Sequence, residues 1–197
     1  MGKFEILDEL VDKRNGYLLT SDVVASGISK PTLAVYIKDR GLERVARGIY
    51  LSEDAWPDEL YLLYLQNRRI CFSQETALYL HGLMEREPRQ VSVTVMAGYN
   101  ASHLRKKGVR VFQVKREIYE MGLSSIMTNY GNRVVVYDQE RTICDIIKNK
   151  ENMDIQVFQT AMKEYMQENE KQLFNLMTYA VRLNIENEVR RYTEVML

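Results

Sequence analysis

Residues 20–51 read TSDVVASGISKPTLAVYIKDRGLERVARGIYL, and this stretch decides the expected fold of the first part of the chain. A short apolar run follows Thr20, whose side chain suits a helix start, and Ser26-Gly27 ends that run. A second helix begins near Ser29-Lys30-Pro31, because proline is tolerated in a first turn, where its missing N–H has no helical partner. Residues 42–45 and 48–51 predict the two strands of a hairpin. The stretch therefore predicts a helix, a turn, a second helix and a hairpin.

The residues before this stretch add one more helix. Apolar residues at helical spacing predict a helix over residues 4–14, which Asn15-Gly16 ends, and residues 17–19 are short and extended. Three helices followed by a hairpin is the element order of a winged helix-turn-helix. We therefore predict that residues 1–52 form a winged helix-turn-helix DNA-binding domain.

A polar segment with a proline, residues 52–57, predicts a domain boundary. Beyond it, residues 58–197 alternate between helical and strand patterns and then turn purely helical. Helices are predicted over residues 58–67, 73–81 and 142–148, strands over 91–96, 109–114 and 133–137, and three helices within 155–196. The expected class is α/β (α+β), in which a winged helix-turn-helix precedes a mixed α/β domain with a helical C-terminal tail.

The charge balance limits how DNA binding can be argued. The chain has 197 residues, with 27 Lys and Arg against 27 Asp and Glu, so its formal net charge is zero. A strongly basic total, which would favour nucleic acid directly, is absent. The case for DNA therefore depends on local charge and on the predicted motif.

Localisation follows from apolar runs and cysteine usage. No apolar run approaches the roughly 20 residues of a membrane span, and acidic residues interrupt the N-terminal segment. Cys71 and Cys144 each lie in an apolar run without a neighbouring Cys or His, which predicts buried free thiols. We expect a cytoplasmic protein with no membrane partner, since free thiols suit a reducing compartment.

The predicted second helix and hairpin carry the first set of candidate DNA-binding residues. Between residues 28 and 51 there are five bases and two acids, a local net charge of five minus two, or plus three. The candidates are Lys30, Thr32, Tyr36, Lys38, Arg44 and Arg47. Arg47 is expected at the hairpin tip, where a wing meets the sugar-phosphate backbone. The alternative is a three-helix scaffold that packs against another protein.

A second basic set lies between two predicted strands. It consists of Arg105, Lys106, Lys107 and Arg110. A basic loop of this kind can hold phosphates, and the alternative is a solvated loop.

Residues capable of acid–base or metal chemistry form no recognisable signature. Glu75, His81, His103 and Asp138 match no catalytic spacing, and residues 98–103 lack a phosphate-loop pattern. His81 is expected to end a helix and Asp138 to cap one. Arg141 and Asp145 stand four residues apart as an expected surface pair. We predict no catalytic residue, no metal and no cofactor.

Three phrases resemble a known family. They are LERVARGIYL at residues 42–51, FSQETALYLHGL at residues 72–83 and VYDQERTICDII at residues 136–147. In this order and at this separation they resemble the AbiEi family of antitoxins, over most of residues 1–150.

The resemblance implies a bacterial antitoxin of a type IV toxin–antitoxin system, which acts in abortive infection and so in phage resistance. In that family the winged helix represses its own operon at inverted repeats in double-stranded DNA. The C-terminal domain counteracts a nucleotidyltransferase-like toxin, AbiEii, without a stable complex. The resemblance thus implies an autoregulatory transcriptional repressor, with residues 58–197 as the antitoxin domain.

Two other interpretations of the chain remain open. The C-terminal domain could be an enzyme that modifies the toxin covalently, for example by phosphoryl transfer. Alternatively, the whole chain could be a protein-interaction adaptor.

Overall fold

The computed structural model describes residues 2–196 and has a mixed α+β fold. Across those residues it contains eleven α-helices and two β-sheets, which confirms the expected class. The chain forms two compact units. The first comprises the described residues up to Gln66 with Thr128–Asn132, and the second comprises Asn67–Met127 with the described residues from Arg133 onward.

The first unit contains four helices and a three-stranded antiparallel sheet in the order β1-β3-β2. Its elements are α1 (Lys3–Asp12), β1 (Tyr17–Leu19), α2 (Thr20–Ala25), α3 (Lys30–Asp39), β2 (Glu43–Ala46), β3 (Ile49–Leu51) and α4 (Glu59–Gln66). These bounds agree with the expected helices and hairpin. Seven buried side chains from α1 to the residue before β2 form the core: Leu7, Leu18, Val23, Ile28, Leu33, Tyr36 and Leu42.

Helix α4 belongs to the first unit by its contacts. The Tyr61 ring meets the Tyr17 ring edge-on at 5.1 Å, and Arg14 donates a hydrogen bond to the Tyr61 hydroxyl. The compact unit therefore extends to Gln66, beyond the boundary at residues 52–57 that the sequence suggested. The functional division into residues 1–52 and 58–197 stays a prediction.

Asp58 organises the end of the first unit. Its side chain is 2% exposed and accepts hydrogen bonds from the Thr128 hydroxyl at 2.6 Å and the Asn132 amide at 2.9 Å. Its other carboxylate oxygen accepts from the Tyr61 backbone N–H, and its own N–H donates to the Tyr17 hydroxyl. Because a buried carboxylate requires such partners, Asp58 joins segments that lie 70 residues apart in sequence.

The second unit contains a five-stranded mixed sheet in the order β6-β5-β4-β8-β7. Its elements are β4 (Cys71–Phe72), α5 (Gln74–Leu80), β5 (Ser92–Met96), α6 (Ser102–Lys106), β6 (Arg110–Val114), α7 (Arg116–Tyr119), β7 (Leu123–Met127), β8 (Arg133–Tyr137), α8 (Gln139–Lys148), a 3₁₀ turn (Lys150–Asn152), α9 (Ile155–Gln167), α10 (Leu173–Arg182) and α11 (Glu186–Met196). The three predicted strands and the three C-terminal helices are confirmed. Strands β4 and β7 and helices α6 and α7 were not expected.

Helix α8 is the centre of the second unit. Asp138 caps it by accepting a hydrogen bond from the Arg141 N–H at 2.7 Å, as expected from the sequence. Every residue from Glu140 to Ile147 is buried, and the apolar ones pack among α5, α9, α10 and α11. A helix buried all round forms because other elements surround it, so its neighbours determine its stability.

Arg141 and Asp145 form a buried ion pair, so the expected surface pair is wrong. The Arg141 side chain is 1% exposed and its Nε donates to the Asp145 carboxylate at 3.0 Å. The guanidinium also donates to the carbonyl oxygens of Ile118 and Met121, and its carbon lies 4.2 Å from the centre of the Tyr137 ring. The spacing is right for a helix surface, but α8 has no such surface because neighbouring elements cover it.

We expect the substitution Arg141→Ala to lower the free energy of unfolding by about 3–5 kcal/mol, because it leaves the Asp145 carboxylate buried and unpaired. Urea unfolding followed by circular dichroism measures this change. The matched control is Arg116→Ala, since Arg116 pairs with Glu120 at the same four-residue spacing but is 78% exposed. That variant should unfold almost as the wild type does. Equal destabilisation of the two variants would contradict the structural role of Arg141.

Candidate nucleic-acid interface

Helix α3 begins at a well-formed cap. Ser29 precedes the helix, and its hydroxyl accepts a hydrogen bond from the Thr32 N–H at 3.4 Å and lies 2.9 Å from the Thr32 hydroxyl. Pro31 occupies the first turn, as expected. Lys30 is exposed beside this cap, at the end of the helix where backbone N–H groups favour anions. Thr32 is half-buried, and its hydroxyl lies within hydrogen-bond distance of Ser29.

The solvent-facing side of α3 combines positive charge with small apolar side chains. Lys30, Ala34, Val35 and Lys38 are exposed, and Val35 is 61% exposed. A face of this composition can contact base edges and thymine methyl groups as well as phosphates. Lys30 and Lys38 form no ion pair within the residues that the structure describes.

Tyr36, one of the candidate DNA-binding residues, is buried. Its side chain is 1% exposed, and its hydroxyl donates to the Asp8 carboxylate at 2.7 Å. The Phe4 ring packs against it edge-on at 5.2 Å, and burial raises the pKa of the Tyr36 hydroxyl. Arg40 pairs with the same Asp8 carboxylate at 2.9 Å. Tyr36 therefore fixes α3 to α1 and does not face a ligand.

The hairpin β2–β3 presents Arg47 at its tip. Gly48 follows with a φ of +73°, a conformation that glycine adopts without strain. Its carbonyl oxygen accepts a hydrogen bond from the Thr20 N–H at 2.9 Å, so the tip is fixed to the first residue of α2. Arg47 and Arg44 are exposed, and the Arg44 Nε donates to the Ala46 carbonyl oxygen at 3.4 Å. The hairpin thus holds two arginines at a defined place in the first unit.

The second basic set lies in the second unit. Arg105 and Lys106 are exposed at the end of the five-residue helix α6, and Lys107 follows at its C-cap. Leu104 is fully buried beneath them and anchors the helix. The expected loop is therefore a short helix that connects the parallel strands β5 and β6. Arg110 is half-buried on β6, and its guanidinium carbon lies 5.3 Å from the centre of the Phe112 ring.

Both histidines considered for acid–base chemistry have structural partners. His81 follows α5, as expected, and its Nε2–H donates to the Tyr137 carbonyl oxygen at 2.7 Å, while burial lowers the pKa of its imidazole. The His103 Nε2 lies 2.7 Å from the Asn67 amide oxygen. Both cysteines are free and buried, as predicted, and burial raises the pKa of the Cys144 thiol to about 12. In the described part of the chain, no three His, Cys, Asp or Glu side chains are grouped to hold a metal.

No helix between residues 2 and 196 combines the length and apolar character that a membrane span requires.

Comparisons with known proteins bear on the fold alone. No protein-family model matches the chain, and no curated protein is detectably similar to it. The chain is similar to a solved structure, that of the Rv2827c protein from Mycobacterium tuberculosis, with a TM-score of 0.59 and 10% sequence identity. The match covers 100% of this chain and 81% of that one. At so low an identity, the similarity is evidence for a shared mixed α+β fold.

Proposed function

We propose that the first unit is a winged helix-turn-helix that binds double-stranded DNA, and that the protein is a transcriptional autorepressor. The observation that carries this proposal is the exposed face of α3 next in sequence to a hairpin with Arg47 at its tip. The element order α1-β1-α2-α3-β2-β3 supports this proposal, and we assign α3 as the recognition helix. The five bases between residues 28 and 51 outnumber the two acids there, so this segment has a local positive charge although the net charge of the chain is zero.

The direct contacts are assigned to five of the six residues first considered. Lys30 and Lys38 lie on the exposed face of α3, and Thr32 lies in its first turn. Arg47 and Arg44 lie on the hairpin and reach the sugar-phosphate backbone. Tyr36 supports this surface from below, because its bond to Asp8 holds α3 against α1.

We propose further that the protein is an antitoxin of the AbiEi type, whose second unit counteracts a nucleotidyltransferase-like toxin. This step depends on the resemblance of the phrases at residues 42–51, 72–83 and 136–147. In the structure the last two phrases form β4–α5 and β8–α8. They lie side by side, since β4 pairs with β8 and α5 packs on α8. Two phrases that are distant in the sequence are therefore neighbours in the structure of the second unit.

The variant that combines Lys30→Ala with Arg47→Ala should bind the promoter of its own gene at least tenfold more weakly. It removes a contact of Lys30 to a base edge, which contributes on the order of 1–3 kcal/mol, together with the contact of Arg47 to the sugar-phosphate backbone. Gel-shift titration at fixed salt measures the affinity. The matched control combines Lys3→Ala with Lys13→Ala, which removes the same charge from exposed positions on and beside α1. Unchanged affinity in the first variant would rule out the assignment of α3 and the hairpin.

Arg105, Lys106 and Lys107 test whether α6 also contacts DNA. Replacing all three by Gln should weaken binding to every sequence alike, because phosphate contacts carry no sequence information. The log–log dependence of affinity on salt should flatten by roughly 0.9 for each phosphate that the variant no longer neutralises. The control replaces three other exposed bases, Arg86, Arg89 and Lys163, by Gln. A salt dependence identical to that of the control would mean that α6 is only solvated.

The two activities should separate without truncation. We expect the Lys30→Ala, Arg47→Ala variant, co-expressed with the neighbouring toxin, to restore growth while a promoter reporter stays derepressed. Point variants are preferred to the fragment 58–197, because Asp58 and α4 pack in the first unit.

Failure of the wild type to restore growth would contradict the antitoxin role, and failure of the folded variant alone would contradict separability. If the second unit were an enzyme, it would transfer a labelled phosphoryl group from ATP to the toxin in the presence of Mg²⁺. Incubating the purified protein with the toxin in vitro tests this alternative.

A further inference from the structure

The second unit contains an open cavity of about 540 Å³ that the proposed function does not use. Thr94 of β5 and Phe112 of β6 form part of its wall, and they are register partners in the parallel pair. The remaining wall comes from the rest of β6, the first residue of α5, α7 with the residue before it, α8 with the residue after it, and the end of α10 with the two residues after it. The volume is within the range of small-molecule sites, about 300–1,000 Å³.

Positive charge dominates the wall of this cavity. Four basic side chains line it, against one acidic side chain, Asp145, so the lining has a net charge of four minus one, or plus three. The four are Lys115, Arg141, Lys148 and Arg182. Arg141 neutralises Asp145 directly, and the Lys148 ammonium donates one hydrogen bond to the Leu183 carbonyl oxygen at 3.1 Å. Lys115 and Arg182 are exposed and form no ion pair within residues 2–196.

Amide side chains line the same cavity in an unusual backbone setting. Gln74 is 5% exposed, and its side-chain oxygen accepts from the Asn149 amide at 3.5 Å. Within the described chain, three residues other than glycine have a positive φ, and two of them, Gln74 (+53°) and Asn184 (+57°), line this cavity. A glutamine in this region is strained, and such strain tends to cluster at ligand sites. Amides offer both donors and acceptors, as the edge of a nucleobase does.

We propose that this cavity binds a nucleoside phosphate. Lys115 and Arg182 hold the phosphate oxygens through charge-assisted hydrogen bonds, with the free N–H bonds of Lys148 beside them. Gln74 and Asn149 contact the base edge, and the Phe112 ring is an aromatic wall for the base. Inorganic phosphate would leave most of the volume empty, and an uncharged apolar ligand would leave the cations unpaired.

The test uses the full-length chain and measures binding by isothermal titration calorimetry. The probes are the four common nucleoside triphosphates, their monophosphates, adenosine, inorganic phosphate and a single-stranded oligonucleotide. At least one nucleoside phosphate should bind with a dissociation constant below 1 mM, which corresponds to roughly 4 kcal/mol of binding free energy. Adenosine and inorganic phosphate should bind at least tenfold more weakly.

Lys115→Ala and Arg182→Ala should each weaken that binding about tenfold or more, as expected when a charge-assisted hydrogen bond is removed. The matched controls Lys163→Ala and Arg89→Ala remove exposed charges elsewhere in the second unit and should bind as the wild type does. Binding of no nucleoside phosphate, or equal effects of cavity and control variants, would overturn the proposal. Equal affinity for inorganic phosphate would also overturn the proposal. Tighter binding of the oligonucleotide would do so too, if the cavity variants abolish that binding.

This inference is independent of DNA binding by the first unit, because its residues belong to the second unit and its ligands are mononucleotides. A protein that fails to shift its promoter can still bind them.

Discussion

Burial of the Arg141 guanidinium is the constraint on which the second unit depends. A charge removed from water must find its solvation inside the protein, and here it finds a carboxylate, two carbonyl oxygens and an aromatic ring. These partners come from α8 itself, from α7, from the connection between α7 and β7, and from the end of β8. The Arg141 side chain thus fixes the positions of these segments relative to one another. Gly122 belongs to the same constraint, since a Cβ there would lie 2.6 Å from the Arg141 Cβ.

Asp58 plays the corresponding part in the first unit. Its carboxylate is satisfied by a helix N–H, a hydroxyl and an amide, so it needs no cationic partner. Its effect is to fasten the segment 128–132 and the start of α4 to the strand that contains Tyr17. Both units therefore use one buried charged group to define contacts that hydrophobic burial alone, which has no direction, would leave unspecified.

The sequence predicted the elements whose signal is local. Apolar periodicity located α1, α3 and α8, and turn chemistry located the hairpin at residues 42–51. Strand β7, by contrast, reads Leu-Ser-Ser-Ile-Met and is mostly exposed, so it has little periodic signal and is defined by its pairing with β8. Strand β4 has two residues and exists only because β5 and β8 flank it. The pairing of Phe72 with Val136, which is distant in sequence, leaves no mark on the short strand itself.

Charged and polar residues were harder to assign than apolar ones, and the reason is physical. Lys30 and Arg141 are both basic helix residues, yet one faces solvent and the other is enclosed. Tyr36 follows Leu33 by three residues and shares its buried face, so helical spacing alone could have excluded it from the DNA surface. Arg141 gives no such signal, because its burial depends on Ile118 and Met121, which lie 23 and 20 residues away in sequence.

A net charge of zero therefore says little about which surfaces bind anions. Part of the charge lies inside, where Arg141 and Asp145 cancel, and Asp58 is satisfied by hydrogen bonds alone. A ligand meets the charged side chains that remain at the surface. Among the residues that the structure describes, cations without an ion pair lie on α3 and the hairpin in the first unit and around the cavity in the second. Since the field at a surface falls off within about one Debye length, roughly 8–10 Å, each set of cations acts mainly on ligands that lie near it.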